Sequence, residues 1–228
     1  MINQKEVLLK IIDAAGRKLI SAENQLTELD SMGDADCGAG VRRGFEAVIN
    51  SSGELSGLET GDILRKVGFT LAYTIGGTSG AMLGTGFIEA GKSLADSKEP
   101  TALEWISASR QALEVIKRRG GNTRIGDKTL VDALEPAVAA MQAVYDSFFK
   151  GGQEKNLASG DAGNIAKILV EAGYMAAVLG SDKTIDMVAK KGRASYVGER
   201  SRGNRDPGSV IIVLIFEAAL EVLKTLYI

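Results

Sequence analysis

Apolar residues recur three and four positions apart over most of the chain, the spacing of one helix face rather than the alternation of a strand. In the first segment Val7, Ile11, Ala14 and Leu19 share a stripe, with Lys5, Lys10 and Lys18 largely off it. The same period predicts helices through Phe45, Val48 and Ile49, from Asp62 to Tyr73, and from Ala81 to Leu94. Thr101 is placed to cap a fifth helix through Trp105, Leu113 and Ile116. Thr129 to Tyr145, Gly163 to Leu179 and Ser209 to Tyr227 bring the set to eight. The run from Val210 to Phe216 (VIIVLIF) is β-branched enough for a buried strand. EAALEVLKTL continues it at helical period without a turn signal, so one buried helix is expected. The expectation is an all-α chain: one domain over 1–228, built as an antiparallel up-and-down barrel or bundle without internal repeats.

Composition narrows the chemistry. With 27 basic and 29 acidic residues and a net charge of -2, bulk charge favours neither nucleic acid nor a membrane surface. There is no histidine, which removes Ser-His-Asp and Cys-His catalysis, HExxH zinc sites and a phosphohistidine relay on this chain. A single cysteine, Cys37, removes intrachain disulfides and CxxC clamps. The first twenty residues scatter charge among apolar positions and do not read as a signal peptide, and VIIVLIF is too short to span a bilayer. A soluble, cytoplasmic setting is expected. Three prolines against 28 glycines favour long helices joined by glycine-rich loops.

Those loops hold most of the polar chemistry: 29–40, 75–80, 120–129, 190–201 and 202–209. In an up-and-down bundle, loops at alternate connections share an end and converge. Asp30, Asp34 and Asp36 read as turn or cap residues one at a time. As three carboxylates in seven positions they repel unless a cation offsets them, and their hard oxygens suit Mg²⁺ beside phosphate. An EF-hand fails, because counting from Asp34 puts Gly38 and Phe45 where ligands are needed. Cys37-Gly38-Ala39-Gly40 leads straight into a helix, which makes either an ordinary capped start or an anion cradle of open N–H groups. IGGTSG, with Thr78 and Ser79, serves either close helix packing or a ligand. Gly126-Asp127-Lys128-Thr129 is either a helix cap or a nucleotide-side loop. Gly86 to Ser93 satisfies GxxxxGK[ST], but no strand precedes it and its interior is helix-forming, so a P-loop is rejected. The basic stretch 190–208 is threaded with glycines; Arg193 and the Asp206-Pro207-Gly208 turn suit a diphosphate.

Taken together, LTELDSMGDADCGAGVRRGF, GGTSGAMLGTGF, GDKTLVDALEPA, KKGRASYVGERS and GNRDPGS resemble the L subunits of dihydroxyacetone kinases, in the same order from about residue 5 to 225. They also look like the nucleotide-binding domain of the single-chain kinases of that family. The resemblance implies an eight-helix barrel with ADP or ATP and two Mg²⁺ at one end. Phosphoryl would pass to a short-chain ketose held on a separate K subunit, supplied by ATP or by a phosphotransferase-system protein that recharges a held ADP. By position, Asp30, Asp34 and Asp36 would ligate magnesium. Cys37, Gly38, Ala39, Gly40, Thr78, Ser79, Gly121, Leu130, Arg193, Asp206, Pro207 and Gly208 would line the nucleotide site, with Arg193 offsetting charge during transfer. A homodimer is compatible with this reading; nucleic-acid and membrane partners are not expected. Three departures stand out: the loop between Asp30 and Gly33 is one residue shorter than usual, Cys37 replaces a frequent bacterial His, and Asn204 replaces another. The alternatives are a regulatory nucleotide-binding module that docks on a transcription regulator, and a fatty-acid kinase ATP-binding domain.

Overall fold

The computed structural model describes residues 3–149 and 159–227. Among these it has ten α-helices, two 3-10 segments and no strand. The helices are α1 (Gln4–Ser21), α2 (Glu23–Leu29), α3 (Cys37–Asn50), α4 (Ser52–Leu55), α5 (Thr60–Thr74), α6 (Gly77–Ser93), α7 (Ala102–Arg119), α8 (Val131–Phe148), α9 (Ser159–Lys183) and α10 (Pro207–Leu226). The 3-10 segments are Thr184–Asp186 and Arg193–Ser201. The all-α expectation therefore holds, while a count of eight leaves out the short α2 and α4 and both 3-10 segments. VIIVLIF lies within α10, which Asp206 caps by accepting from the Ser209 N–H, with Pro207 in the first turn. Thr101 caps α7 in a reciprocal capping box with Glu104. Asp127 does not cap α8, whereas the Thr129 hydroxyl accepts from the Val131 N–H, the first of that helix, at 3.2 Å. Leu130, at the N-cap position, offers no side-chain bond, and Asp132 within the helix accepts from the Gly126 and Thr129 N–H groups.

The long helices pack in chain order: α1 on α3, α3 on α5, then α5 through α10 each on the next. α10 returns onto α1, so the contacts run in a ring. The main core gathers Leu19, Val41, Val48, Ile63, Leu71, Val131 and Ile211, all fully buried. Burial of each such side chain contributes about 1.5–3 kcal/mol. A smaller cluster, Ile106, Val138, Met141, Tyr145 and Leu169, joins α7, α8 and α9. By length and composition alone the segment Asp161–Asp186 could cross a membrane (mean hydropathy 1.3), yet it packs between α8 and α10.

Many glycines work inside helices rather than in loops. A β-carbon on Gly61 would lie 2.7 Å from the Gly91 carbonyl oxygen, and one on Gly68 would lie 2.6 Å from that of Gly84. α5 and α6 therefore meet backbone to backbone, which only glycine permits at these points. The P-loop lookalike from Gly86 to Ser93 is continuous helix in α6, consistent with its rejection. Four connections, 30–36, 75–76, 120–130 and 184–206, meet at one end of the helices.

Candidate functional site

The connections at this end enclose a cleft of about 430 Å³. On one wall the chain turns tightly after α2: the Asp30 carbonyl accepts from the Gly33 and Ala35 N–H groups, with Ala35 in the left-handed region (φ 55°). This turn brings ligand oxygens of Asp30, Asp34 and Asp36 within 4.8 Å of one another. Asp36 begins α3 but its side chain makes no capping bond, so its carboxylate stays available. The Asp30 Oδ2 accepts from the Cys37 N–H at 3.2 Å. Burial raises the Asp30 pKa from its ordinary value, the Cys37 N–H opposes this, and the charges of Asp34 and Asp36 raise it further.

Hard, clustered carboxylate oxygens of this kind fit a divalent cation such as Mg²⁺. Cys37 does not add a soft ligand: burial, together with the charge of Asp30 and Asp206, pushes its thiol up to about 12. Arg193 crosses from the opposite wall, its Nε 3.1 Å from Asp34 Oδ2. The remaining rim includes Gly76 and Gly77, both at positive φ, with Thr78 and Ser79 in the first turn of α6. An anion set there meets N–H groups that no earlier helical turn satisfies.

Comparison with known proteins supplies the frame for this cleft. A model of the DAK2 domain matches residues 31–221. The chain belongs to the DAK2-domain family. It is 33% identical over 201 residues to the Escherichia coli K12 PEP-dependent dihydroxyacetone kinase, ADP-binding subunit DhaL, covering 87% of this chain and 88% of that one. It is 31% identical over 222 residues to the Listeria innocua PEP-dependent dihydroxyacetone kinase 1, ADP-binding subunit DhaL, covering 97% and 98%. Against the mouse triokinase/FMN cyclase the identity is 30%, covering 98% of this chain but 36% of the longer protein. The crystal structure of the C. freundii dihydroxyacetone kinase shares the fold at a TM-score of 0.66 and 24% identity, over 93% of this chain and 34% of that one.

Within this DAK2 fold the cleft gathers Asp30, Asp34, Asp36, Cys37, Thr78, Ser79, Leu130, Arg193, Asp206, Pro207 and Gly208. Gly38, Ala39, Gly40 and Gly121 do not line it. Gly38 and Gly40 point inward, where a methyl group on Gly38 would overlap the Glu23 carbonyl and the Thr27 hydroxyl, and one on Gly40 would lie 2.9 Å from the Ile75 carbonyl. Gly121 sits behind the rim and accepts from Lys191 Nζ at 2.7 Å through its carbonyl. Met32, Ile75, Met82, Lys128, Lys191, Gly192 and Arg205 also face the cleft; Ile75 and Lys128 lay in loops offered as ligand-side without being assigned a role. Lys191, Gly192 and Arg205 lay within the basic stretch already singled out. Met32 and Met82 carried no signal separate from helix packing.

Asp206 joins structure to pH. Burial raises its pKa from 3.8 to about 7, the Ser209 N–H opposes the shift, and Asp132 adds to it. The folded state thus holds this proton more tightly than the unfolded chain. Its stabilising contribution is complete below 3.8 and is lost as pH rises through about 7. Asp206→Asn keeps an acceptor for Ser209 and cannot ionise. In EDTA, the wild type should lose more stability than this variant between about pH 5 and about pH 8. Partial solvent contact reduces the difference to on the order of 2 kcal/mol. Parallel thermal melts check it; equal losses would show that Asp206 does not carry the dependence.

Proposed function

We propose that this chain is the nucleotide- and magnesium-binding subunit of a kinase for dihydroxyacetone or a related short-chain ketose, a single domain working in the cytoplasm with a K-type subunit that holds the sugar. The observation that carries the reading is the opposition of the Asp30, Asp34 and Asp36 cluster to Arg193 across one cleft. The ADP-binding names of the bacterial relatives support a diphosphate there.

Phosphoryl transfer needs alignment and charge neutralisation more than covalent protein chemistry. Asp30, Asp34 and Asp36 would hold Mg²⁺, which neutralises phosphate oxygens when bound. Arg193, more than half exposed and, among the described residues, paired with Asp34, is free to turn its planar fork onto a phosphate and offset charge on the bridge being broken. The Gly76–Ser79 turn would donate to the remaining phosphate oxygens. Leu130 and Met82 would give the nucleotide an apolar wall that excludes water. The cleft offers no imidazole, Asp30, Asp34 and Asp36 would be committed to the cation, and the Asp206 carboxylate is engaged in capping α10. A proton acceptor for the ketose hydroxyl would come from the partner.

The nucleotide content of gently purified protein, with and without prior EDTA, tests the reading. Stoichiometric ADP released only by chelation is expected if a phosphotransferase-type protein recharges a resident cofactor. Reversible MgATP binding instead makes the subunit ATP-consuming. Absence of any nucleotide binding overturns the proposal. Phosphorylation of dihydroxyacetone by this chain alone at an enzyme-like rate would overturn the division of labour with a K-type subunit.

A further inference from the structure

Lys128 is an unusual lysine. It is 6% exposed, sits in the left-handed backbone region (φ 61°), and faces the cleft from beneath. Its ammonium donates to two backbone carbonyls, Thr184 and Asn204, each at 2.6 Å. Those carbonyls belong to different segments, one just after α9 and one just before α10. Among the described residues, no carboxylate comes within ion-pair distance of this nitrogen. Asp206, Asp132 and Asp186 act on it only from further away, and Arg202 repels it.

Such an arrangement is costly as pure architecture. Burying an ammonium costs several kcal/mol, and two carbonyl dipoles return only part of its hydration. Two of its three N–H groups are used, which leaves one donor and the whole positive charge at the cleft floor. The two bonds also fix the strand of chain that leads into Arg205, Asp206, Pro207 and Gly208. Asp206 is further tied to Thr184, whose hydroxyl accepts from the Asp206 N–H at 2.9 Å. Lys128 thus pins the two sides of the basic loop and presents a charge that, among the described residues, no carboxylate pairs with directly.

We propose that Lys128 is a positioning residue of the nucleotide cleft: it locks the 202–208 turn in place and uses the phosphates of the bound nucleotide as its missing counter-ion. This rests on the nucleotide-binding reading above and adds a residue to it. The ligand class is a nucleoside diphosphate or triphosphate, and the contribution depends on the phosphates rather than on the base.

The test compares ADP with adenosine by calorimetric titration of the whole chain in MgCl₂, for the wild type, Lys128→Met and Lys128→Arg. Lys128→Met should weaken ADP by on the order of 30-fold, the scale for losing one charge-assisted contact. Adenosine should change less than about threefold, and Lys128→Arg should recover part of the ADP affinity. A purely structural lysine would move ADP and adenosine together, and that outcome overturns the proposal, as does unchanged ADP affinity in Lys128→Met. If Lys128→Met does not fold, the wild type decides. Burial lowers the lysine pKa, so ADP affinity should fall faster than adenosine affinity as pH rises, and should do so before the ordinary lysine range is reached. Asp206, at about 7, titrates below that range and the Cys37 thiol, at about 12, above it; Asp132, Asp186 and Arg202 are the other charged groups that act on the lysine. Parallel pH profiles for the two ligands would overturn the assignment. Failure of the wild type to bind ADP at all would instead refute the nucleotide-binding reading.

Discussion

Replacing Asp34 and Asp36 together by asparagine is expected to weaken Mg²⁺-dependent ADP binding by on the order of 100-fold while making the ligand-free protein more stable. The two effects have one cause. Oxygens of the three carboxylates lie within 4.8 Å of one another, and Asp34 and Asp36 are largely open to solvent. Without a cation they repel, and they drive the half-buried Asp30 further from ionisation. The variant removes that repulsion. It also breaks the Arg193–Asp34 pair, but this ion pair is exposed on both sides and contributes little. The net gain in EDTA should be about 1 kcal/mol, or roughly 2–4 °C in melting temperature for a chain of this size. With Mg²⁺ and ADP present the order reverses, because only the wild type gains the ligand's binding energy. Melting with and without MgCl₂ and ADP, beside titration calorimetry, reads both signs. A variant that binds ADP with the same Mg²⁺ dependence as the wild type would remove the aspartates from the site.

The helices were legible because their signal is local. An apolar period near 3.6 runs through α1, α5 and α10 and does not depend on what each helix packs against. Thr101 with Glu104 three positions later is equally local, and it forms the expected cap. Short elements escaped this reading. α4 has only four residues, and the 3-10 turn at Arg193–Ser201 contains Gly198 in a non-helical conformation, too little for any period to register. The glycines misled in a different way. Treating them as loop markers is sound at Gly76 and Gly192, which adopt positive φ. At Gly61, Gly68, Gly84 and Gly91 the reason for glycine is another helix, and one chain position says nothing of its neighbour in space. Lys128 was hidden for the same reason. Its carbonyl partners lie 56 and 76 positions away, so GDKT reads as a helix start or a nucleotide-side loop, and nothing singles out the lysine until the fold closes around it.

Gly38→Ala, one methyl group outside the cleft, is expected to damage both stability and nucleotide binding. The sequence invites Gly38 to be a phosphate cradle, but the structure turns it toward α2. A methyl group there would overlap the Glu23 carbonyl oxygen and the Thr27 hydroxyl and crowd the Thr27 backbone nitrogen at 2.9 Å. Two of these three atoms are backbone, so no change of rotamer relieves the clash, and α3 must move away from α2. Overpacking against backbone should cost about 3 kcal/mol, the upper end of the usual range, which lowers the melting temperature by roughly 6–12 °C. The displaced end of α3 begins at Cys37, whose N–H holds Asp30, and follows directly on Asp36. Moving it spreads the carboxylate cluster, and ADP affinity should fall by on the order of tenfold in MgCl₂, with adenosine less affected. Gly53→Ala is the matched control. Gly53 lies in α4 with nothing within 4 Å of an added β-carbon, so the same substitution should be neutral or slightly stabilising. If Gly38→Ala instead bound ADP more weakly with an unchanged melting temperature, the glycine would be acting at the ligand, and the cradle reading would replace the packing one.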